Sequence, residues 1–165
     1  MDRRIEWVDV MLDDSGRRSD PNEVTLSPPS AALRRLRVLV LDDDLATLKS
    51  VPRVLGADYE VTTVRSLSDL LALLLVGRRF DAILSDVWMP EVEGDGMHVD
   101  ARVRKVSPQQ AERIVFMTSG GLPDRLARFI ADRIVVTKPI ELGEVRAAID
   151  RVAALSRESA SRSPR

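Results

Sequence analysis

Cysteine is absent from the 165 residues. Its absence removes disulfide frameworks, thiolate metal sites and cysteine nucleophiles. Histidine occurs once, as His98, so a multi-histidine metal site is excluded and a histidine-based catalytic triad is not expected. A large charge excess is also missing. The net charge is −1, which gives no reason to expect nucleic-acid binding. Among the basic residues the lysines are only Lys49, Lys105 and Lys138. The longest apolar run, Leu70 to Val76, is far short of the ~20 residues of a membrane span. The N-terminus lacks the apolar stretch of a secretory signal. A cytoplasmic protein that engages neither membrane nor nucleic acid is the default expectation.

What remains is ordinary globular material. Hydrophobic residues make up 44% and charged residues 31%, enough for one packed domain with flanking tails. Residues 1–35 read as an N-terminal extension or linker. Asp13 to Pro29 is rich in Ser, Asp, Pro, Gly and Arg, which is linker composition. Ile5, Trp7, Val8, Val10, Met11 and Leu12 form an apolar patch before it, with neither strand nor helix period. Residues 36–154 carry the domain. Residues 155–165 are polar and read as a disordered tail.

Within the domain, Val38 to Leu41 is a short apolar run that fits a strand buried on both faces. It ends at Asp42, Asp43 and Asp44. Asp44 is placed to cap a helix over Leu45 to Leu55, which Pro52 should kink or end early. Tyr59 to Val64 reads as a second strand. Ser66 with Asp69 resembles a capping box, opening a leucine-rich helix that ends near Gly77. Asp81 to Ser85 is a third strand, ending at Asp86. A loop through Pro90 and Gly94 leads to a helix over Gly96 to Val106. Arg113 to Met117 is a fourth strand, ending at Thr118, and Pro123 suits the first turn of the next helix. Ile134 to Thr137 is a fifth strand, ending at Lys138. Leu142, Val145, Ile149 and Val152 mark a last amphipathic helix. Five strands alternating with five helices predict an α/β fold, a doubly wound parallel sheet with helices on both faces.

The reactive residues all fall just after a predicted strand: Asp42, Asp43, Asp86, Thr118 and Lys138. In an open parallel sheet the carboxyl ends of the strands share one edge, where ligands bind. These residues should therefore converge. Two unit charges ~4 Å apart repel by about 4 kcal/mol at an effective dielectric near 20, so three acids in one cleft call for a cation. Hard oxygen ligands without histidine or cysteine point to Mg2+. Lys138 as a point charge and Thr118 as a hydroxyl donor suit a phosphoryl group. A carboxylate can attack phosphorus and form an aspartyl phosphate.

The motifs resemble those of the response-regulator receiver domains of two-component signalling. "VLVLDD" (Val38 to Asp43) resembles their opening strand and acidic pair. "SDVWMPEVEG" (Ser85 to Gly94) resembles the phosphorylation-site strand and loop. "FMTSGG" (Phe116 to Gly121) resembles the fourth-strand motif, and "TKPI" (Thr137 to Ile140) the lysine–proline motif, which carries a cis peptide in the family. The wording "FMTSGG" followed by "LPDRLARFI" is most similar to receivers of hybrid histidine kinases. The resemblance implies a flavodoxin-like strand order 2-1-3-4-5. It also implies Asp86 as phosphoacceptor, with direct Mg2+ binding by Asp43, Asp86 and the backbone carbonyl of Trp88. Asp42 would bind Mg2+ through water, and Thr118 and Lys138 would bind phosphoryl oxygens. A histidine kinase or phosphotransfer protein would be the donor, and a further protein, unspecified by the sequence, the recipient of the signal. Because the chain ends soon after the last helix, a stand-alone receiver is expected.

The pattern departs from the family in one place. The aromatic residue usual three positions before the lysine is here Val135, which puts the familiar threonine–aromatic coupling in doubt. His98, in the third helix, reads as a solvated position. The leucines at 70, 71, 73, 74 and 75 exceed what one buried face needs, so the helix is either packed deeply or presents an apolar patch to a partner. Two other functions compete. One is a degenerate receiver that binds partners without phosphorylation. The other is a haloacid-dehalogenase-like phosphatase, faintly suggested by Asp42-x-Asp44. It would need an acidic pair at the end of a further strand, and only Glu141, Glu144 and Asp150 follow Lys138.

Overall fold

The computed structural model describes residues 34–89 and 94–161. The N-terminal extension (apart from Arg34 and Arg35), the loop residues 90–93 including Pro90, and residues 162–165 lie outside the described residues. Five parallel strands form one sheet in the order β2-β1-β3-β4-β5. They are β1 (Leu36–Leu41), β2 (Tyr59–Val64), β3 (Ala82–Asp86), β4 (Ile114–Thr118) and β5 (Val135–Thr137). The helices are α1 (Leu45–Leu55), α2 (Leu67–Leu75), α3 (Gly96–Val106), a single turn α4 (Pro108–Ala111), α5 (Asp124–Ile130) and α6 (Leu142–Ser161). The doubly wound order 2-1-3-4-5 is the one expected. No helix among the described residues is long and apolar enough to cross a membrane.

The strand runs are continuously apolar because both faces are covered. Leu39, Leu41, Ile83, Ile114 and Phe116 pack under α2, α3 and α5. Their neighbours Val38, Val40, Ala82, Leu84, Val115 and Met117 pack under α1 and α6. The two-residue side-chain period of a strand splits each run between the two layers.

Three elements differ from expectation. Helix α1 does not end early at Pro52 but continues to Leu55. Val51 and Leu55 are fully buried on the sheet, and each such side chain stabilises by roughly 1.5–3 kcal/mol, against about 3 kcal/mol for an interior proline. The expected tail from residue 155 is helical backbone as far as Ser161, since Arg157, Glu158 and Ala160 are good helix formers. The turn α4 was not anticipated. Its Gln110 is buried, with Oε1 accepting the Phe80 amide at 2.8 Å and Nε2 donating to the Phe80 carbonyl at 3.0 Å.

The end of β3 is fixed by close packing. The Gly96 amide donates to the Val87 carbonyl at 2.9 Å. A Cβ on Gly96 would lie 3.1 Å from the Phe116 ring and 3.3 Å from Val87 Cα. Only glycine lets α3 begin this near the residue that follows Asp86. Gly96→Ala should lower unfolding stability by about 1–3 kcal/mol through overpacking. Urea denaturation monitored by circular dichroism measures it, and a stability equal to wild type would refute the packing argument.

Candidate functional site

Strand adjacency brings the acids together. Leu41 pairs with Ser85, so the next residues, Asp42 and Asp86, face each other at the carboxyl edge. Asp43 joins them: one carboxylate oxygen from each of the three residues lies within 4.8 Å of the others. Asp42 is completely buried and Asp86 nearly so. Asp44, the third acid of the run, is used differently. Its carboxylate caps α1 by accepting the Ala46 amide at 3.0 Å and the Thr47 amide at 3.2 Å. Those bonds to Ala46 and Thr47 hold the Asp44 carboxyl below the usual carboxylate range.

Lys138 arrives from the far side of the sheet, one residue after β5. Its amide donates to the Thr118 carbonyl at 2.8 Å, and the Lys138–Pro139 peptide is cis. The side chain reaches back across β4, and Nζ donates to Asp42 Oδ2 at 2.6 Å and to Asp86 Oδ2 at 2.7 Å. Both remaining carboxylate oxygens are also engaged. Asp42 Oδ1 accepts the Asp44 amide at 2.9 Å, and Asp86 Oδ1 accepts the Trp88 amide at 3.0 Å. Burial pushes the Asp42 carboxyl up, against the pull of Lys138 and of the Asp44 amide. Burial by itself would lower the Lys138 ammonium, but its bonds to Asp42 and Asp86 outweigh it, and the pKa is raised. Both directions describe one arrangement, an ammonium fixed between acids that water barely reaches.

Thr118 ends β4 and is buried. Its Oγ accepts the Gly120 amide at 3.1 Å, which leaves the hydroxyl hydrogen to donate. Trp88 is about 43% exposed beside Asp86. His98 is exposed on α3, outside the acidic cluster. Glu144 accepts the Thr137 amide at 3.2 Å from the first turn of α6. Glu141, Glu144 and Asp150 all follow the last strand among the described residues, so none stands at the end of a further one.

This arrangement can hold a divalent cation and a phosphoryl group at one sheet edge. Residues 38–150 match the family described as the response regulator receiver domain. The chain belongs to that family. It is a receiver domain of two-component signalling. The rice two-component response regulator ORR3 (Oryza sativa subsp. indica) is 29% identical over 118 residues, covering 70% of this receiver and 88% of that protein. The sensor histidine kinase AruS of Pseudomonas aeruginosa is 29% identical over 129 residues, 76% of this receiver, which spans only 13% of the kinase's length. Among solved structures, a putative response regulator from Chloroflexus aurantiacus superposes with a TM-score of 0.61 at 26% identity, covering 73% of this chain and 99% of the other. A kinase and a response regulator match at equal identity, so the similarity does not select hybrid-kinase receivers over others.

The sequence placed the site residues of this receiver at a common edge, but missed how the edge is packed. Gly96 was read only as a helix start. Val135, opposite Phe116 in the sheet, is half-buried. Beside it Phe129 of α5 meets the Phe116 ring edge-on at 5.2 Å, and Arg133 lies 4.6 Å over Phe129. Arg133 also donates to the buried Asp100 at 2.9 Å. A single aromatic on a helix carries no sequence signal for such a role.

Lys138→Ala should keep the native circular dichroism but lose stability in chelator. Removing the ammonium leaves two buried acids facing each other, at a cost of about 1–3 kcal/mol, discounted for the partial exposure of Lys138. Added Mg2+ should restore the loss, and it should bind the variant more tightly than wild type because the competing ammonium is gone. Thermal melts with and without Mg2+ test both. A variant as stable as wild type in chelator would mean that the ion pairs contribute nothing.

Proposed function

We propose that this receiver accepts a phosphoryl group on Asp86 from a phosphohistidine of a histidine kinase or phosphotransfer protein, in a Mg2+-dependent reaction. The observation that carries the reading is the convergence of Asp42, Asp43 and Asp86 within 4.8 Å, with the Lys138 ammonium already standing as a cation between two of them. The donor set suits Mg2+. It offers only oxygens, and ligands at 2.0–2.1 Å around an octahedral ion lie roughly 3–4 Å apart, close to the spacing of these carboxylates. Asp43, Asp86 and the Trp88 carbonyl would hold the ion directly and Asp42 through water. When bound, the ion neutralises the acids and the phosphoryl oxygens.

The protein's own groups then have defined tasks. A carboxylate oxygen of Asp86 attacks phosphorus. The P–N bond to the donor imidazole breaks, and the imidazole leaves with the electron pair and takes up a proton. Lys138 gives up one of its two carboxylate partners and donates to a phosphoryl oxygen. The Thr118 hydroxyl donates to another. The product is an acyl phosphate whose signal passes on by contact with a further protein or by phosphorelay, so the chain works as a phosphoacceptor rather than a turnover enzyme.

Acetyl phosphate with Mg2+ should add one phosphoryl group to the protein, and Asp86→Asn should add none, because an amide is a poor nucleophile. Intact-mass spectrometry reads this directly; equal labelling of the variant would move the acceptor elsewhere. Asp43→Ala should weaken Mg2+ binding followed by Trp88 fluorescence. An unchanged titration would remove Asp43 from the metal site.

The phosphorylated state should also be long-lived. Hydrolysis needs a water in line behind phosphorus. The neighbouring positions 88 and 120 carry an indole, whose nitrogen only donates, and a glycine with no side chain. Losing such positioning slows hydrolysis by one or two orders of magnitude, roughly 1.4–2.7 kcal/mol of barrier. The double variant Trp88→Asn/Gly120→Glu should therefore lose its phosphoryl group at least about tenfold faster in Mg2+ buffer. Decay at the wild-type rate would show that these positions do not set the lifetime.

A further inference from the structure

The surplus leucines of α2 divide cleanly. Leu67, Leu70 and Leu74 are buried, Leu71 and Leu73 are half-buried, and Leu75 and Val76 are exposed. At 71% and 77% exposure, the last two are the most exposed large apolar side chains among the described residues. Their position is fixed. The Gly77 and Arg78 amides donate to the Leu74 and Leu73 carbonyls, and Gly77 takes a positive φ of 85°. This is the glycine-terminated helix end that satisfies the last carbonyls.

Beside them runs a groove of about 890 Å3. Its floor is the C-terminal half of β2, an outer strand of the sheet whose other edge pairs with no strand among the described residues. Leu45 and Leu48 of α1 form one wall, and Leu73 and Val76 of α2 form the other. Leu45 is itself 50% exposed. Lys49, Arg65 and Asp69 stand among the lining residues, so the charge around the groove has both signs.

We propose that this groove is the interface of a symmetric dimer of the chain, in which Leu75 and Val76 of each copy pack into the groove of the other. A twofold interface requires one surface to be complementary to itself. Here an apolar projection and an apolar hollow lie side by side on one rigid helix, so the projection cannot fill its own hollow but can fill a copy's. Charge favours the same occupant. A partner of one dominant sign would be met best by a margin of the opposite sign, whereas a mixed margin can face its own copy with unlike charges opposed. A net charge of −1 adds little repulsion between copies. The proposal stands apart from the phosphoacceptor reading, since none of its residues belongs to the Asp86 site.

Sedimentation equilibrium of the full chain tests it. The wild type should show a concentration-dependent monomer–dimer equilibrium. Leu75→Asp/Val76→Asp, at exposed positions that leave the core intact, should weaken the dimer at least about tenfold with an unchanged circular dichroism spectrum. Leu155→Asp, at an apolar position of α6 that is also 50% exposed, should leave the dimer as strong as wild type. A wild type that is monomeric at every concentration overturns the proposal. So does a dimer indifferent to the double substitution, or one that dissociates equally with Leu155→Asp.

Discussion

Repulsion between Asp42, Asp43 and Asp86 is the constraint around which the carboxyl edge of the sheet is arranged. Parallel pairing of β1 with β3 makes the approach of Asp42 to Asp86 unavoidable, since the register that buries Val40 against Leu84 also aligns the residues that follow. The chain answers with Lys138, brought from β5 across the width of β4. One ammonium cannot neutralise three carboxylates, so the edge retains a demand for a further positive charge. The same imbalance that makes the pocket attractive to a divalent ion makes Lys138 available once that ion is present. An ammonium shared by two acids is held tightly, but it has no unique partner.

This division of labour explains which parts of the site were legible in the sequence. A run such as Val38 to Leu41 ending in acids declares both a buried strand and a strand end, and five such ends in order predict one shared edge. Asp42, Asp43, Asp86, Thr118 and Lys138 were readable on that ground alone. The split use of the aspartates was partly readable, because Asp44 stands where a helix cap belongs, and its carboxylate is taken up by the Ala46 and Thr47 amides. What the sequence could not give is distance. Lys138 reads as a charge reserved for phosphate, while the structure has it paired with both acids.

The misread elements fail for a common physical reason, which is that tertiary burial outweighs local preference. Pro52 disfavours its helix, yet Val51 and Leu55 hold the last turn on the sheet. The C-terminal residues were read as a tail because nothing apolar repeats there, but α6 is already nucleated by Val145, Ile149 and Val152, and adding residues to an existing helix costs far less than starting one. The leucine-rich helix α2 was ambiguous for the opposite reason. Seven consecutive apolar residues have no period, so the sequence cannot say which of them meet the sheet. Only the packing separates the buried stripe of Leu67, Leu70 and Leu74 from the exposed end at Leu75 and Val76.

The two core layers give Asp86 unequal connections to the rest of the domain. Its predecessor Ser85 is buried and its Oγ donates to the Asp86 carbonyl at 3.2 Å. Its successor Val87 belongs to the layer under α2, α3 and α5. There Val87 bonds to Gly96, Gly96 abuts Phe116, and Phe116 meets Phe129, which carries Arg133 and through it Asp100. Every link is a contact at or near van der Waals distance, a ring pair or an ion pair, so a displacement at Val87 cannot be absorbed by empty space. Val135 is too small to fill the room an aromatic residue would occupy beside Phe116, and Phe129 reaches in from α5 instead. The physical continuity from Asp86 to the surface of this receiver therefore runs through a helix rather than through its edge strand. The layer under α1 and α6 meets β3 only through Ala82 and Leu84, side chains that precede the acidic edge and end before it.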